Sequence, residues 1–205
     1  MKNKIIKDAL ALTLITLVAG VALGGVYEIT KDPIAKQEAQ AKAEAYEQVF
    51  TDAAAFEEVE MDDTLIQTIR DQLDQEGYKA QSIEEVMRAE DQSGETLGYA
   101  FTVVTSEGYG GDIQFSIGVQ NDGTLNGISI LSIGETAGLG MNADTPAFKD
   151  QFVGKQVEKL QYTKNGATQD DEINAISGAT VTTNAMTNGV NAGLCAFRVM
   201  EGGDQ

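Results

Sequence analysis

The chain has 205 residues, with 14 Lys and Arg against 32 Asp and Glu, a net charge of −18, no His, no Trp and one Cys. That balance excludes a nucleic-acid partner, because a phosphate backbone wants a basic face. The missing His removes the commonest general base and metal ligand, and a lone Cys195 makes neither an internal disulfide nor a thiolate metal site.

The length predicts one globular domain plus something extra. Lys2, Lys4 and Lys7 precede an apolar run from Ala9 to Tyr27, interrupted only by Thr13, Thr16 and several Gly. Its nineteen residues span roughly 28 Å as a helix, close to the hydrocarbon thickness of a bilayer. The lysines put the N-terminus in the cytoplasm and everything after about Ile29 outside. A cleaved signal peptide is the alternative, with a small-residue site at Gly20-Val-Ala22. Gly20 and Gly24 have the spacing that lets another membrane helix approach closely.

Pro33 is expected to break the chain at the membrane surface. Ile34 to Val59 is rich in Ala, Glu, Gln and Lys and reads as an exposed helical stalk. Asp62, Asp63 and Thr64 offer caps for a helix from Leu65 to Gln75 that stops at Gly77. The domain reading is therefore a cytoplasmic tip and membrane helix at 1–29, a helical stalk at 30–76 and a globular domain at 77–205.

From Tyr78 the pattern changes to short β-prone segments: Ile83–Met87, Leu97–Thr105, Ile113–Val119 and Leu125–Ile133. Gly108-Tyr-Gly-Gly111 makes one tight connection, and Gln120-Asn-Asp-Gly123 makes a hairpin. Ile113, Phe115, Ile117 and Val119 alternate and predict one buried face. In the next strand Ile128, Ile130, Leu131 and Ile133 imply burial on both sides or a bulge. Gly134-Glu-Thr-Ala-Gly-Leu-Gly140 follows, three glycines in seven residues; it is either a backbone brought close to something or a plain turn. Asp144-Thr145-Pro146 opens a short helix that ends near Gly154. Lys159–Lys164 and Asn165-Gly166 predict another strand and turn.

Ile173–Ile176 is β-prone and runs into Ser177-Gly-Ala-Thr180-Val-Thr-Thr183, after which the chain turns helical from about Asn184 to Glu201. Val190, Leu194, Phe197 and Val199 share most of one face and should pack on the sheet. Cys195, in an apolar run, reads as a buried structural thiol. A small-residue turn at a helix N-terminus is a place for a phosphate, because free N–H groups and the helix dipole point at it. Ordinary helix capping by Thr gives the same pattern.

The order of these pieces resembles the G component of the Rnf electron-transport complex, related to the C component of the sodium-pumping NADH:quinone reductase. The resemblance is carried by the basic tip and membrane helix, Gly108-Tyr-Gly-Gly111, the hairpin Asp122-Gly-Thr-Leu-Asn-Gly-Ile-Ser-Ile-Leu131, Gly134-Glu-Thr-Ala-Gly-Leu-Gly140 and Ser177-Gly-Ala-Thr180. It implies an α+β FMN-binding domain with a mostly antiparallel sheet, held outside the cytoplasmic membrane by one helix. It further implies FMN joined by a phosphoester to Thr180 by a flavin transferase, with Ser177, Gly178 and Ala179 leaving room for it. Glu135, Thr136, Gly138, Leu139 and Gly140 would lie against the flavin, and Thr182 and Thr183 would become the helix caps. The chain would be an electron relay in an ion-translocating ferredoxin:NAD⁺ oxidoreductase, partnered by the other membrane subunits. Two positions depart from the family pattern: Asn174 stands where Asp is usual, and Ala137 where Pro is usual. No GxGxxG follows a strand, so NAD binding is not expected of this chain. Other classes remain open: an outer-face flavoprotein of another electron-transfer system, or a pilin-like anchored binding or assembly module without redox function. A hydrolase is poor for want of a nucleophile–base set.

Overall fold

The computed structural model describes residues 2–202 and divides the chain into two compact units, 1–41 and 42–205. Helix α1, Lys2–Val49, opens the chain. It is the one helix among the described residues long and apolar enough to cross a membrane. Its leucines, isoleucines and valines up to Ile29 are exposed. Thr13 and Thr16, which interrupt the apolar run, turn their hydroxyls inward and donate to the carbonyls of Ala9 (2.9 Å) and Leu12 (3.1 Å). No polar group of theirs is left over for a lipid environment to penalise.

Two sequence expectations fail here. Pro33 does not break the chain; it lies inside α1. Proline removes one helical N–H, but the Ala, Lys, Gln and Glu that follow are strong helix formers and carry the helix on. Nor does helix continue to Val59. The chain leaves it at Val49 and forms strand β1, Ala55–Glu58.

The second unit is built on a five-stranded antiparallel sheet with strands in chain order: β1, then β2 (Gln81–Glu90), β3 (Thr96–Thr105), β4 (Ile113–Gln120) and β5 (Leu125–Ser132). Helix α2, Asp63–Glu76, precedes β2. Asp62 caps it by accepting from Leu65 N at 2.7 Å, and Gly77, with φ +90°, ends it in the left-handed region. In β4, Ile113, Phe115, Ile117 and Val119 are fully buried, as their alternation predicts. In β5 the register settles the two alternatives: Gln114 pairs with Ser132 and Phe115 with Ile130, so Leu131 is bulged.

One face of the sheet packs against the last helix, α4 (Thr180–Gly202), and α2. Phe101, Phe115, Val86, Met186, Val190 and Leu194 lie in that core. Gly189 and Gly193 let α4 come close, since a Cβ would meet the Phe115 ring at 2.6 Å or Ile117 Cδ1 at 2.0 Å. Glu76 of α2 accepts from Arg198 of α4 at 2.9 Å. The other face holds the last turns of α1 through Tyr46, Val49 and Phe50, over Ala89 and Ala100. Small residues are required there too: a Cβ on Gly118 would meet the Val49 carbonyl at 2.7 Å.

Between β5 and α4 the chain is irregular. A 3-10 turn at Gly140–Asp144 precedes the short helix α3, Pro146–Lys149, and a 3-10 turn at Asp150–Phe152. Thr145 does not cap α3 with its side chain; its hydroxyl donates to the Asn142 carbonyl at 2.7 Å. Strands β6 (Gln161–Thr163) and β7 (Glu172–Asn174) then form a small parallel pair, and β7 delivers the chain to the turn before α4.

Candidate functional site

Three loops converge at the N-terminus of α4: Glu107–Gly111 between β3 and β4, Gly134–Gly140 after β5, and Ser177–Thr180. The glycines that made these segments conspicuous are where the loops touch. A Cβ on Gly110 would lie 2.2 Å from the Gly134 carbonyl, and one on Gly140 would lie 2.6 Å from both Glu135 Oε2 and Thr182 Oγ1. Gly178 has φ +76°, and a Cβ there would sit 3.1 Å from Leu139 Cδ2. The φ favours glycine, and the contact places the second and third loops in van der Waals reach.

Hydrogen bonds lock the same loops. Tyr109 N donates to Glu135 Oε1 at 2.8 Å. Asn184 and Asn188, on the second and third turns of α4, donate to Glu107 Oε2 at 3.2 and 2.7 Å. Thr183 fixes the turn from inside: its hydroxyl accepts from Ile176 N at 3.0 Å and donates to the Ala179 carbonyl at 2.9 Å. Helix α4 thus begins at Thr180, four residues before its expected start, and neither Thr182 nor Thr183 is an N-cap. Both lie inside the first turn, buried, where packing overrides the modest helix propensity of Thr and Val.

This start matters chemically. Thr183 is the first residue whose N–H closes onto a carbonyl at the helix entry, that of Ala179. The N–H groups of Thr180, Val181 and Thr182 precede it, have no helical acceptor, and point out of the helix with the positive end of its dipole. Thr180 is half-buried at the first helical position.

A cleft of about 420 Å³ opens at Thr180, lined by Tyr109, Glu135, Thr136, Leu139, Gly140, Gly178, Ala179, Thr180, Val181 and Thr182. Of the residues expected from the sequence, all but Ser177 and Gly138 line it; those two are exposed nearby. Tyr109, Val181 and Thr182 are additions. Gly-Tyr-Gly-Gly reads as a turn, and nothing in the sequence shows that the turn lies against Glu135. Tyr109, Leu139 and Val181 are large apolar side chains left 76%, 43% and 50% exposed at one place, the rim of this cleft. Such a cluster marks a surface made to be covered. A flat aromatic ring system with a phosphate tail fits: apolar walls for the ring, and uncommitted N–H groups for the phosphate.

Asn174 does not line the cleft. Its Oδ1 accepts from Ala167 N at 2.7 Å and its Nδ2 donates to Gln151 Oε1 at 3.0 Å, tying β7 to the 3-10 turn at Asp150–Phe152. A second cleft, of about 480 Å³ between α2 and β2–β3, receives none of the three loops' residues that line the first.

An α+β domain with a cleft at a helix N-terminus, following a helix long enough to cross a membrane, defines the class: an anchored phosphate-tailed-cofactor binder. Comparison with known families makes it particular. Residues 108–194 match the FMN-binding domain family and residues 1–49 match the RnfG N-terminal region. The G component of the Na⁺-translocating ferredoxin:NAD⁺ oxidoreductase complex of Acetobacterium woodii is 32% identical over 95% of this chain and 92% of its own. The G component of the proton-translocating complex of Clostridium ljungdahlii is 28% identical over 98% of this chain and 96% of its own. The solved C component of a Na⁺-translocating NADH-quinone reductase from Parabacteroides distasonis is 25% identical, with a TM-score of 0.48 over 56% of this chain and 61% of that one. The chain belongs to the RnfG family, the G components of ion-translocating ferredoxin:NAD⁺ oxidoreductase (Rnf) complexes, and carries that family's FMN-binding domain.

Proposed function

We infer that Thr180 carries FMN as a phosphoester, in the cleft beneath it, and that the chain relays electrons within an ion-translocating ferredoxin:NAD⁺ oxidoreductase complex. Its partners are the other membrane subunits and, for maturation, a flavin transferase. The N-terminal lysines lie in the cytoplasm and everything after about Ile29 on the outer side, as the excess of Lys before the apolar run directs.

The observation that carries this reading is the position of Thr180: first residue of α4, half-buried, opening onto the cleft and next to uncommitted helical N–H groups. Those N–H groups and the helix dipole hold a phosphate that a chain of net charge −18 otherwise repels. Gly178 and Ala179 leave the hydroxyl accessible to a modifying enzyme. Leu139, Val181 and Tyr109 would give the ring an apolar wall, and Glu135 holds the Tyr109 loop in place. Bound flavin supplies the one- and two-electron chemistry; the protein's residues supply attachment, orientation and polarity.

The test is a denaturing gel of the protein co-expressed with its flavin transferase. Fluorescence under ultraviolet light should travel with the wild-type band, and intact mass should exceed the chain by FMN less one water. Thr180→Ala should abolish both. Fluorescence that persists in Thr180→Ala would refute the attachment.

A further inference from the structure

We propose that the Glu135 carboxylate sets the reduction potential of the flavin in this cleft, its unneutralised charge opposing electron uptake. The proposal rests on the reading that the flavin occupies the cleft at Thr180.

Glu135 is 8% exposed and yet lines the cleft, so its charge lies in the floor, not on the rim. It is the one charged side chain among the lining residues; no Lys or Arg stands with it. Among the described residues it makes no ion pair, and its hydrogen-bond donor is the Tyr109 N–H at 2.8 Å. The neighbouring Glu107 is different: two asparagine amides of α4 donate to it and it lies outside the cleft lining. Glu135 is also fixed. A Cβ on Gly140 would meet its Oε2 at 2.6 Å and one on Gly108 its Oε1 at 3.2 Å, so the backbone of two segments stands close against the carboxylate.

Two-electron reduction, FMN + 2 e⁻ + H⁺ → FMNH⁻, adds one negative charge to the ring system. A ring lying across the cleft excludes water from the carboxylate beneath it, and like charges in a poorly screened site disfavour one another. Glu135 therefore makes the reduced flavin a stronger donor than a neutral floor would, which suits a relay working with low-potential carriers.

The test uses the full chain in detergent, flavin-loaded by its transferase and titrated spectrally with dithionite against a reference dye. Glu135→Gln keeps an oxygen to accept from Tyr109 N–H and nearly the same shape, while removing the charge. It should raise the equilibrium constant for reduction at least tenfold, about 30 mV for a two-electron couple. Glu135→Asp, which keeps the charge but draws it back by one methylene, should give an intermediate value. Wild-type potentials in both variants overturn the proposal while leaving the attachment reading intact. If Glu135→Gln takes no flavin, Glu135→Asp decides alone by the same criterion. If neither variant loads while the wild type does, Glu135 serves attachment and its potential-setting role is wrong. A wild type without flavin removes the reading beneath the proposal, and the proposal with it.

Discussion

Gly140→Ala is the sharpest steric test of the site. The backbone at Gly140 is not in the left-handed region, so the substitution adds no conformational strain. The new Cβ would stand 2.6 Å from Glu135 Oε2, 2.6 Å from Thr182 Oγ1 and 2.8 Å from Glu135 Cβ, where ordinary contact begins near 3.4 Å. Both neighbours are buried, Glu135 at 8% and Thr182 at 1% exposure, so neither can simply turn away. Overpacking of this kind costs about 1–3 kcal/mol. Replacing Gly by Ala returns about 0.4–1 kcal/mol by restricting the unfolded chain. The net is a loss of about 1–2 kcal/mol, a fall in melting temperature of roughly 3–6 °C for a unit of this size. Because the crowding falls on Glu135 and Thr182, flavin loading by intact mass should fall as well. Gly138→Ala is the control: its φ of +75° penalises Ala, but the Cβ has nothing within 4 Å, so stability drops while loading holds. A Gly140→Ala protein that melts at or above the wild-type temperature would show that Glu135 and Thr182 do not crowd this position.

Burial first, then the charge and hydrogen bond of Glu76, push the Cys195 thiol up to about 12. With the folded value above the unfolded one, stability is complete below about pH 9 and is lost as pH rises towards 12. Urea titrations across that range should show a shallower loss in Cys195→Ala than in wild type; equal losses would place the thiol in water. Burial likewise raises the Tyr46 hydroxyl, which bonds Thr102 Oγ1 at 2.7 Å and Glu85 Oε2 at 3.0 Å. Tyr46→Phe leaves the buried Thr102 hydroxyl without that partner and should cost about 1–2 kcal/mol in chemical denaturation. Asn174→Asp keeps the acceptor for Ala167 N but loses the donor to Gln151, so it should cost about 0.5 kcal/mol and leave flavin loading by intact mass unchanged.

Strands β2 to β5 were legible because each has a face to bury, and alternation in Ile113, Phe115, Ile117 and Val119 reports that directly. Strand β1 was not. Ala55-Phe-Glu-Glu58 is a short edge strand with only Phe56 half-buried; its polarity is what an unpaired edge requires, and it reads as the end of the exposed helix. The start of α4 was displaced for a different reason. Thr180, Val181, Thr182 and Thr183 are poor helix formers, and only the burial of Thr182 and Thr183 against Gly140 and Ile176 N makes their helix worthwhile. The glycine loops were visible as motifs, but their meeting was not: Tyr109 and Glu135 are 26 residues apart, and the bond joining them is long-range.

The form of the cleft also bears on why the proposed covalent bond would be useful there. Its apolar rim is open, with Tyr109, Leu139 and Val181 all substantially exposed, and no cation lines it to grip a phosphate. A ring resting on such walls leaves much of its surface in water, and contacts that incomplete return little free energy beyond the cost of losing free motion. Deepening the cleft would strengthen binding but would bury the edge through which electrons must pass to another protein. The proposed phosphoester at Thr180 would remove that conflict. With the bond made, contact between ring and cleft would be intramolecular, and weak walls would suffice at a high effective concentration. The helix N–H groups would then need only to steady a phosphate already attached, and the walls only to orient the ring. On this argument the openness of the cleft and the presence of a hydroxyl at the first position of α4 belong together. A variant with wild-type walls and no hydroxyl, Thr180→Ala, should lose FMN on simple gel filtration without any change in melting temperature of the bare domain.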